Sequence, residues 1–578
     1  MSLGNRIKSA PRAAALALFA FALALTIAHS AAASTYVVYI PLDSPIYDEL
    51  NTLDSLGYIP DYIDEVRPIS RIEAARLTIE AQTHINDATH PDSIAREIVH
   101  DLRDQLHQEV RLLEANREDN PPTVVVNPLE RAEVQYIYSN GPERFWQGAS
   151  GNKLKAQEGT PLLPNNDGIP TASGSNEVAR GSAWAGFGGF LTAYGEVAVA
   201  GPLTHTPQDT ERVRPLGTEL VASLGDWAVS FGQEEMWWGA GHFSTIAQSN
   251  NADPIPGFRL QNTHPFLLPF FLKYLGQYRL QVFFGRLDAG RGTIVFPDGN
   301  LVTYARPFID GQVIAFRTLP NFEWGFTHTI MFGGHGNSNY GWSGFLGRTI
   351  GVNTGSASAG NTNSQGGAFL KLRFPRLRDS MLWVQTLGED NLTTEARPVG
   401  GVFPFLAVTY QGGYYLPRLT KDGRNDLRFE WKINEPDYQT HSDSLYWAYS
   451  DRLMDDPLGP NASQIDFQPG HWFSNLTKGS LDVFFSDRAP KLAENEFVPP
   501  IYGPPSTLHH ERSAGMAFDL LTIPQNSRLR QDLLAFGRMH IALEYCEHMN
   551  YGPPGQFRAV ASISVGVKPN WDGWSWTK

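Results

Sequence analysis

From about Asn127 to the C-terminus, apolar and polar residues alternate with a period of two. Residues 427–433 are the clearest case: Leu427, Phe429, Trp431 and Ile433 fall on one face, Arg428, Glu430 and Lys432 on the other. The same holds for Tyr278, Leu280, Val282 and Phe284 against Arg279 and Gln281, and for Met539, Ile541, Leu543 and Tyr545 against His540 and Glu544. Near the end, Phe557, Ala559, Ala561, Ile563, Val565 and Val567 oppose Arg558, Ser562, Ser564 and Lys568. Each stretch predicts a strand with one apolar and one polar face. Between them lie Gly/Asn/Ser/Pro-rich breaks, the longest being Gly333 to Gly344, Val352 to Gly367, Asn434 to Asn461 and Arg488 to Ser513. Hairpins with short turns at one end and long loops at the other account for this spacing.

Residues 34–120 follow a helical period instead. Ser44-Pro45 sets a start, Ile46, Leu50, Leu53 and Leu56 share a face, and Gly57 stops the helix. Ser70-Arg71-Ile72-Glu73 has the form of a capping box, with Ser70 bonding forward and Glu73 back. A third helix is predicted from about Pro91 to Arg117, striped by Ile94, Ile98, Leu102, Leu106, Val110 and Leu113. Three short amphipathic helices bury too little by themselves and should dock on something larger. Pro121-Pro122 ends this part.

Alternation does not say which face is wet, since a soluble sandwich and a transmembrane barrel differ only in exchanging inside for outside. The first residues bear on the choice. Arg6, Lys8 and Arg12 precede an apolar run from Ala13 to Ile27, then Ala31-Ala32-Ala33 ahead of Ser34. That order is a secretory signal peptide over residues 1–33. Its apolar run, about 15 residues, is short of the ~20 that span a bilayer as a helix. The densest later patch, Pro265 to Leu275, is broken by Pro269 and Lys273. An exported chain with some 450 residues of aromatic-rich strands and no helical crossovers fits a bacterial outer-membrane barrel of about 16–18 strands. The domains expected are a signal peptide at 1–33, a helical bundle of three helices at 34–122, and a transmembrane antiparallel β-barrel at 123–578. One feature disagrees: barrels commonly end on an aromatic residue, and here Thr577-Lys578 follow Trp571, Trp574 and Trp576.

Charge and cysteine count narrow the partners. Without the three basic residues of the leader the chain has 43 basic against 60 acidic side chains, a net of −17, and no Lys/Arg cluster. Nucleic acid is therefore excluded as a partner. The single cysteine, Cys546, excludes an intramolecular disulfide and any multi-cysteine metal site.

Candidate chemistry concentrates at Leu224 to Pro256. A strand with Trp227, Val229 and Phe231 on one face leads into Gly232-Gln233-Glu234-Glu235-Met236-Trp237-Trp238-Gly239-Ala240-Gly241, then Ser249-Asn250-Asn251-Ala252-Asp253-Pro254. Trp237 and Trp238 offer indole faces for stacking on sugar rings, against the alternative of a girdle or packing on the barrel wall. Asn250 and Asn251 carry amides suited to hydroxyl pairs, or to left-handed turns. His242 with Asp253 is too small a set for a metal. Glu234 and Glu235 are adjacent, so on a continuing strand they point to opposite faces and do not form a glycosidase pair. Nor is there a G-x-S-x-G elbow; Gly336-Asn337-Ser338-Asn339-Tyr340 lacks the second glycine.

This segment resembles the signature of Wzi-type capsule assembly proteins, approximately a glycine-ended strand, a W-W-G-x-G turn and an S-N-N-A-x-P segment. Arg67-Pro68-Ile69-Ser70-Arg71-Ile72-Glu73 is similar to the R-P-x-S-R-x-E of that family's helical part. Leu319 to Gly325, Met331 to Gly336 and Asp426 to Trp431 are similar to its later strands, and the likeness fades after about Asn434. The resemblance implies an outer-membrane barrel of about eighteen strands with a periplasmic helical bundle. It implies a lectin that attaches exported capsular or other surface polysaccharide to the cell, with Trp237, Trp238, His242, Asn250 and Asn251 as candidate sugar contacts. The expected partners are that polysaccharide and outer-membrane lipid; the expected state is a monomer without cofactor or catalysis. A diffusion porin of the same architecture is the alternative, and a secreted β-rich hydrolase a third class.

Overall fold

The structure is a computed structural model. It describes residues 36–115, 122–147, 155–169, 171–202, 213–289, 293–295, 301–303, 305–336, 362–389, 408–435, 438–439, 445–473, 476–489, 509–525, 530, 532–552, 555–571 and 573–576. The signal peptide at 1–33 lies outside the described residues.

Among the described residues eighteen strands, from Val124–Asn140 to Gln556–Pro569, each pair antiparallel with the next. The last closes on the first, Ala132 opposite Val567 and Asn140 opposite Ala559, so the barrel has no free edge. The alternation decides the rest. Val134, Tyr136, Tyr138, Ile541, Leu543, Ile563 and Val565 point outward and are exposed, while Glu133, Glu430, Lys432, Glu544 and Arg558 are buried inside. An apolar belt outside and ionic groups inside is the arrangement lipid requires, because a Lys or Arg at the midplane of the lipid face costs about 2–4 kcal/mol. The low-complexity break expected to run to Gly367 ends earlier, since the strand Thr362–Phe374 takes in Gly366 and Gly367. Trp574–Trp576 pairs with Val124–Val126 beside the last strand and places exposed indoles at the short-turn rim.

The helical part lies at that same rim. Helix α1 (Pro45–Ser55) starts as expected, with Pro45 at its first position and the Ser44 hydroxyl accepting from Ile46 N–H at 3.4 Å. It stops at Gly57, whose φ of +88° suits a residue without Cβ. Helix α2 (Arg71–Asp87) keeps half of the capping box. Ser70 Oγ accepts from Glu73 N–H at 3.3 Å, but the Glu73 carboxylate turns to Arg76 at 2.8 and 2.9 Å. The third expected helix is two, α3 (Ser93–Gln105) and α4 (His107–Glu114), broken at Leu106, where φ is −114° and ψ 23°. Among the described residues, four helices therefore stand where three were expected.

Their apolar faces converge on Leu50, Leu53, Ile98, Leu102 and Leu106 and continue onto Trp472, Leu476, Leu521 and Ile523 at the barrel's short-turn end. The docking surface is thus the barrel itself. Charge adds to it. Residues 34–122 contain 18 acidic and 7 basic side chains, and the barrel meets them with cations. Arg418 pairs with Asp92 at 2.8 Å, Arg424 with Glu97 at 2.5 Å, and Arg530 with Asp101 and Asp104 at 2.5 and 2.6 Å.

Candidate functional site

The Leu224–Pro256 segment does not stay at the surface. After the strand Trp227–Gln233 ends, the chain turns into the lumen and descends to the helical part. There Trp237 and Trp238 form a two-residue antiparallel ladder with Arg67 and Val66. The two most distinctive motifs of the sequence, far apart along the chain, are therefore one structural unit. Gly239 N–H extends it, donating to Glu65 C=O at 2.9 Å. Gly239 has φ +138° and lies against Gln385 and Thr245, leaving no room for a Cβ.

Each candidate residue has a place in this unit. Trp238 is 0% exposed; its ring packs on Phe283 at 5.6 Å and its Nε1–H donates to Gln281 at 2.5 Å. Trp237 is buried beside it. Asn251 is 0% exposed, its Oδ1 accepting from Asn165 N–H at 3.3 Å and its Nδ2 donating to Leu453 C=O at 3.0 Å. Asn250 donates to Asp167 Oδ1 at 2.8 Å, and its own C=O accepts from Asp167 N–H at 2.8 Å. The two amides thus stitch three loops together, at residues 165–167, 249–253 and 453–455. Ser249 adds a bond to Asp455 C=O at 2.6 Å. Asparagine suits this work because one short side chain supplies both donor and acceptor to backbone groups that water cannot reach. His242 alone turns its side chain to open space.

Glu234 and Glu235 diverge. Glu234 pairs with Arg259 on the barrel wall, whereas Glu235 accepts from Leu42 N–H of the N-terminal segment at 2.7 Å. Burial first, then the nearby Asp167, Asp43 and Glu196, push the Glu235 carboxyl well above its usual range. Asp43 goes the other way. Burial would raise it, but Arg131 at 2.6 Å through both oxygens and Arg180 at 3.2 Å hold it far below the usual carboxylate range. Arg180 also holds Asp167 at 2.9 Å, so one ionic chain runs from the helical part through the wall to Asn250.

A third inward segment escaped the sequence reading, which left Asn434 to Asn461 as a long break. Trp447 and Asp456 within it are fully buried. Tyr438 O–H donates to Ile246 C=O at 2.9 Å, and Lys432 pairs with Asp456 at 2.7 Å. The available signal was the aromatic and acidic content of this stretch, unusual for a solvated loop. Two cavities remain beside these segments, of about 1350 and about 800 Å³. They share Pro164, Phe243, Asp519 and His540 as walls. His242 faces the larger one with its side chain exposed to that space; desolvation by the surrounding protein and the cations Arg428, Lys478 and Arg67 hold its imidazole well below its usual pKa. Among the described residues one group of carboxylates is close enough to share a cation, Asp64, Glu65 and Glu323. The Lys371 ammonium already sits among them, 3.0 Å from Glu65 and 3.2 Å from Glu323.

Comparison with known proteins follows this geometry. The family model described as "Capsule assembly protein Wzi" matches residues 146–502. No curated protein sequence matches. Among solved structures, the chain is similar to Wzi of Escherichia coli, described as an outer membrane protein involved in group 1 capsule assembly and a carbohydrate-binding β-barrel. The identity is 14%, the TM-score 0.60, and the match covers 92% of this chain and 99% of that one. It is more distantly similar to the outer membrane protein OprD of Pseudomonas aeruginosa, at 8% identity and TM-score 0.40, covering 78% of this chain and 96% of that one.

Proposed function

We propose a function on the premise that the match over residues 146–502 establishes: the chain belongs to the capsule assembly protein Wzi family. It is an outer-membrane β-barrel. It acts as a lectin that holds exported capsular or other surface polysaccharide on the cell. Residues 34–122 form its periplasmic plug and residues 123–578 its barrel. The plug sits at the short-turn end, the periplasmic end of such barrels. The observation that carries this reading over the porin alternative is the filled lumen. A barrel of eighteen strands is wide enough for an aqueous channel, yet here the segment after Trp227–Gln233 crosses it to meet the plug, and the segments around Asp167 and Asp456 pack against that one.

Retention of a polymer is multivalent: many weak contacts on the outer loops sum along one chain. The burial of Trp238 and Asn251 supports an indirect part for Trp237, Trp238, Asn250 and Asn251, as the frame that holds those loops, with His242 lining the space beneath. The divergence of Glu234 and Glu235 supports binding without catalysis. The test is deletion of the gene in a capsulated host, measuring cell-bound and released polysaccharide. Release into the medium at unchanged total is expected. Unchanged retention, together with steady ion conductance of the purified protein in planar bilayers, would establish the porin reading instead.

A further inference from the structure

The apolar patch Pro265 to Leu275 is not used by the function above, and its placement is unusual. It connects the strands Pro256–Asn262 and Gln277–Arg286 at the short-turn end, where a turn such as Pro320-Asn321 needs only two residues. Phe266–Leu267 pairs with Tyr278–Gln277 as a short continuation of the wall, and beyond it Leu268 and Leu275 pack on the barrel's outward-facing residues. Trp227, Tyr278, Leu280 and Phe316 occupy outward positions, which elsewhere on the belt are about half exposed; here Tyr278 is only 2% exposed. Phe266 is wedged against Tyr278 at 4.8 Å and Trp227 at 5.8 Å. At the other end Thr318 donates to Leu275 C=O at 2.6 Å and accepts from Trp324 at 2.9 Å.

Having covered one set of apolar residues, the strap presents another. Phe270 and Phe271 are each 70% exposed and Tyr274 76%, in the six-residue 3₁₀ helix Phe270–Leu275. Its one charge, Lys273, lies by the Tyr274 ring, 5.4 Å from the centroid. We infer that this strap is a membrane-inserted wedge whose partner is phospholipid of the leaflet facing the periplasm. Continuity points to lipid: the exposed rings extend the hydrocarbon belt outward by one layer, on the same face and without a polar gap. Backbone chemistry sets the depth. Pro265 and Pro269 prevent a continuous helix, and a 3₁₀ turn leaves carbonyls that hydrocarbon does not solvate. The segment therefore lies at the boundary of headgroups and acyl chains, with Lys273 reaching back to phosphate. On this sector the protein is held at a fixed height and its footprint is wider in one leaflet than in the other.

The test uses the full mature chain in vesicles of phosphatidylethanolamine and phosphatidylglycerol. A nitroxide is placed at Phe271→Cys or, separately, Tyr274→Cys, in a Cys546→Ser background. Phe326→Cys on the belt and Lys421→Cys in a polar turn serve as references, and heat-modifiable migration verifies that each barrel has folded. The expected result at both strap positions is an oxygen-to-nickel collision ratio several-fold above that of Lys421→Cys and below that of Phe326→Cys, as the shallower depth requires. A ratio like that of Lys421→Cys overturns the proposal by placing the strap in water. Low collision rates with both reagents overturn it too, because then protein, whether a second copy or another partner, covers the strap. Tyr274 contacts little besides Lys273, so its variant keeps the test intact if replacing Phe271 disturbs folding.

Discussion

Replacing Trp238 by alanine separates a framing role from direct contact with sugar. The indole is completely enclosed between Phe283 and the lumenal wall, and its N–H is bonded to Gln281. Truncating a buried Trp costs about 3–5 kcal/mol. The Gln281 carbonyl left without its donor adds about 1–3 kcal/mol unless water enters the void. About 4 kcal/mol, the value with water entering the void to bond Gln281, is therefore the expectation. The loss falls on the ladder between Val66-Arg67 and Trp237-Trp238 and leaves the eighteen-strand wall intact. Hydrogen exchange reads it directly. The Gly239 amide donates across to Glu65 C=O and opens when the inward loop leaves the plug, while the Trp238 amide donates to Gln248 C=O within the loop and opens when the loop itself unfolds, both bonds being 2.9 Å. A loss of 4 kcal/mol raises that opening roughly a thousandfold, since 1.4 kcal/mol is tenfold. Exchange of peptides spanning 236–250 in detergent should accelerate accordingly, while peptides from the strand Leu533–Glu547 stay protected. Trp238→Phe, which keeps most of the packing, should give about 1–2 kcal/mol. If Trp238→Ala exchanges like the parent protein yet no longer retains polysaccharide, the residue is a ligand contact and the framing argument is refuted.

Two further outcomes follow from the ionic chain. Asp43→Asn removes the carboxylate shared by Arg131 and Arg180; because Glu133 and Asp167 still partner those cations, a loss of about 3 kcal/mol is expected, near the low end for a broken buried pair, read as faster tryptic cleavage of the plug. His242 has a folded pKa below its unfolded one, so the stability tied to it is present above the unfolded value of about 6.5 and is lost as pH falls through it toward the folded pKa; denaturant unfolding of His242→Asn should lose that acid-side fall while matching the parent protein at higher pH, and an unchanged slope would assign the acid sensitivity to other groups.

Much of this architecture is legible in one dimension. Arg428, Glu430 and Lys432 between Leu427, Phe429, Trp431 and Ile433 already sort the two faces of a strand, because side chains alternate strictly along extended backbone. Ser44-Pro45 and Gly57 bound a helix for equally local reasons. The break at Leu106 is different. The apolar stripe from Ile94 to Leu113 continues across it, and nothing nearby in the sequence marks a stop. Tyr278 and Leu280 are a second case: the pattern puts them on the outward face, but only the fold lays Phe266 and its neighbours over them.

The candidate residues were legible by type, and their place was not. Tryptophans and asparagines that read either as sugar contacts or as structural residues lie inside the barrel, because both residue types can bind hydroxyls and can also pack or satisfy backbone groups.

Taken alone, the chain determines its period, the sign of each strand face, its helix starts and its likeness to a family of exported barrels, all properties of neighbouring residues. Tertiary structure alone decides that Val66-Arg67 pairs with Trp237-Trp238, that Asp43 settles between Arg131 and Arg180, and that three loops turn inward. These pairings join residues remote in sequence, and any closed wall with an acidic plug leaves many such partners open. Steric fit and the need to neutralise buried charge select one of them, and neither exists until the barrel has closed.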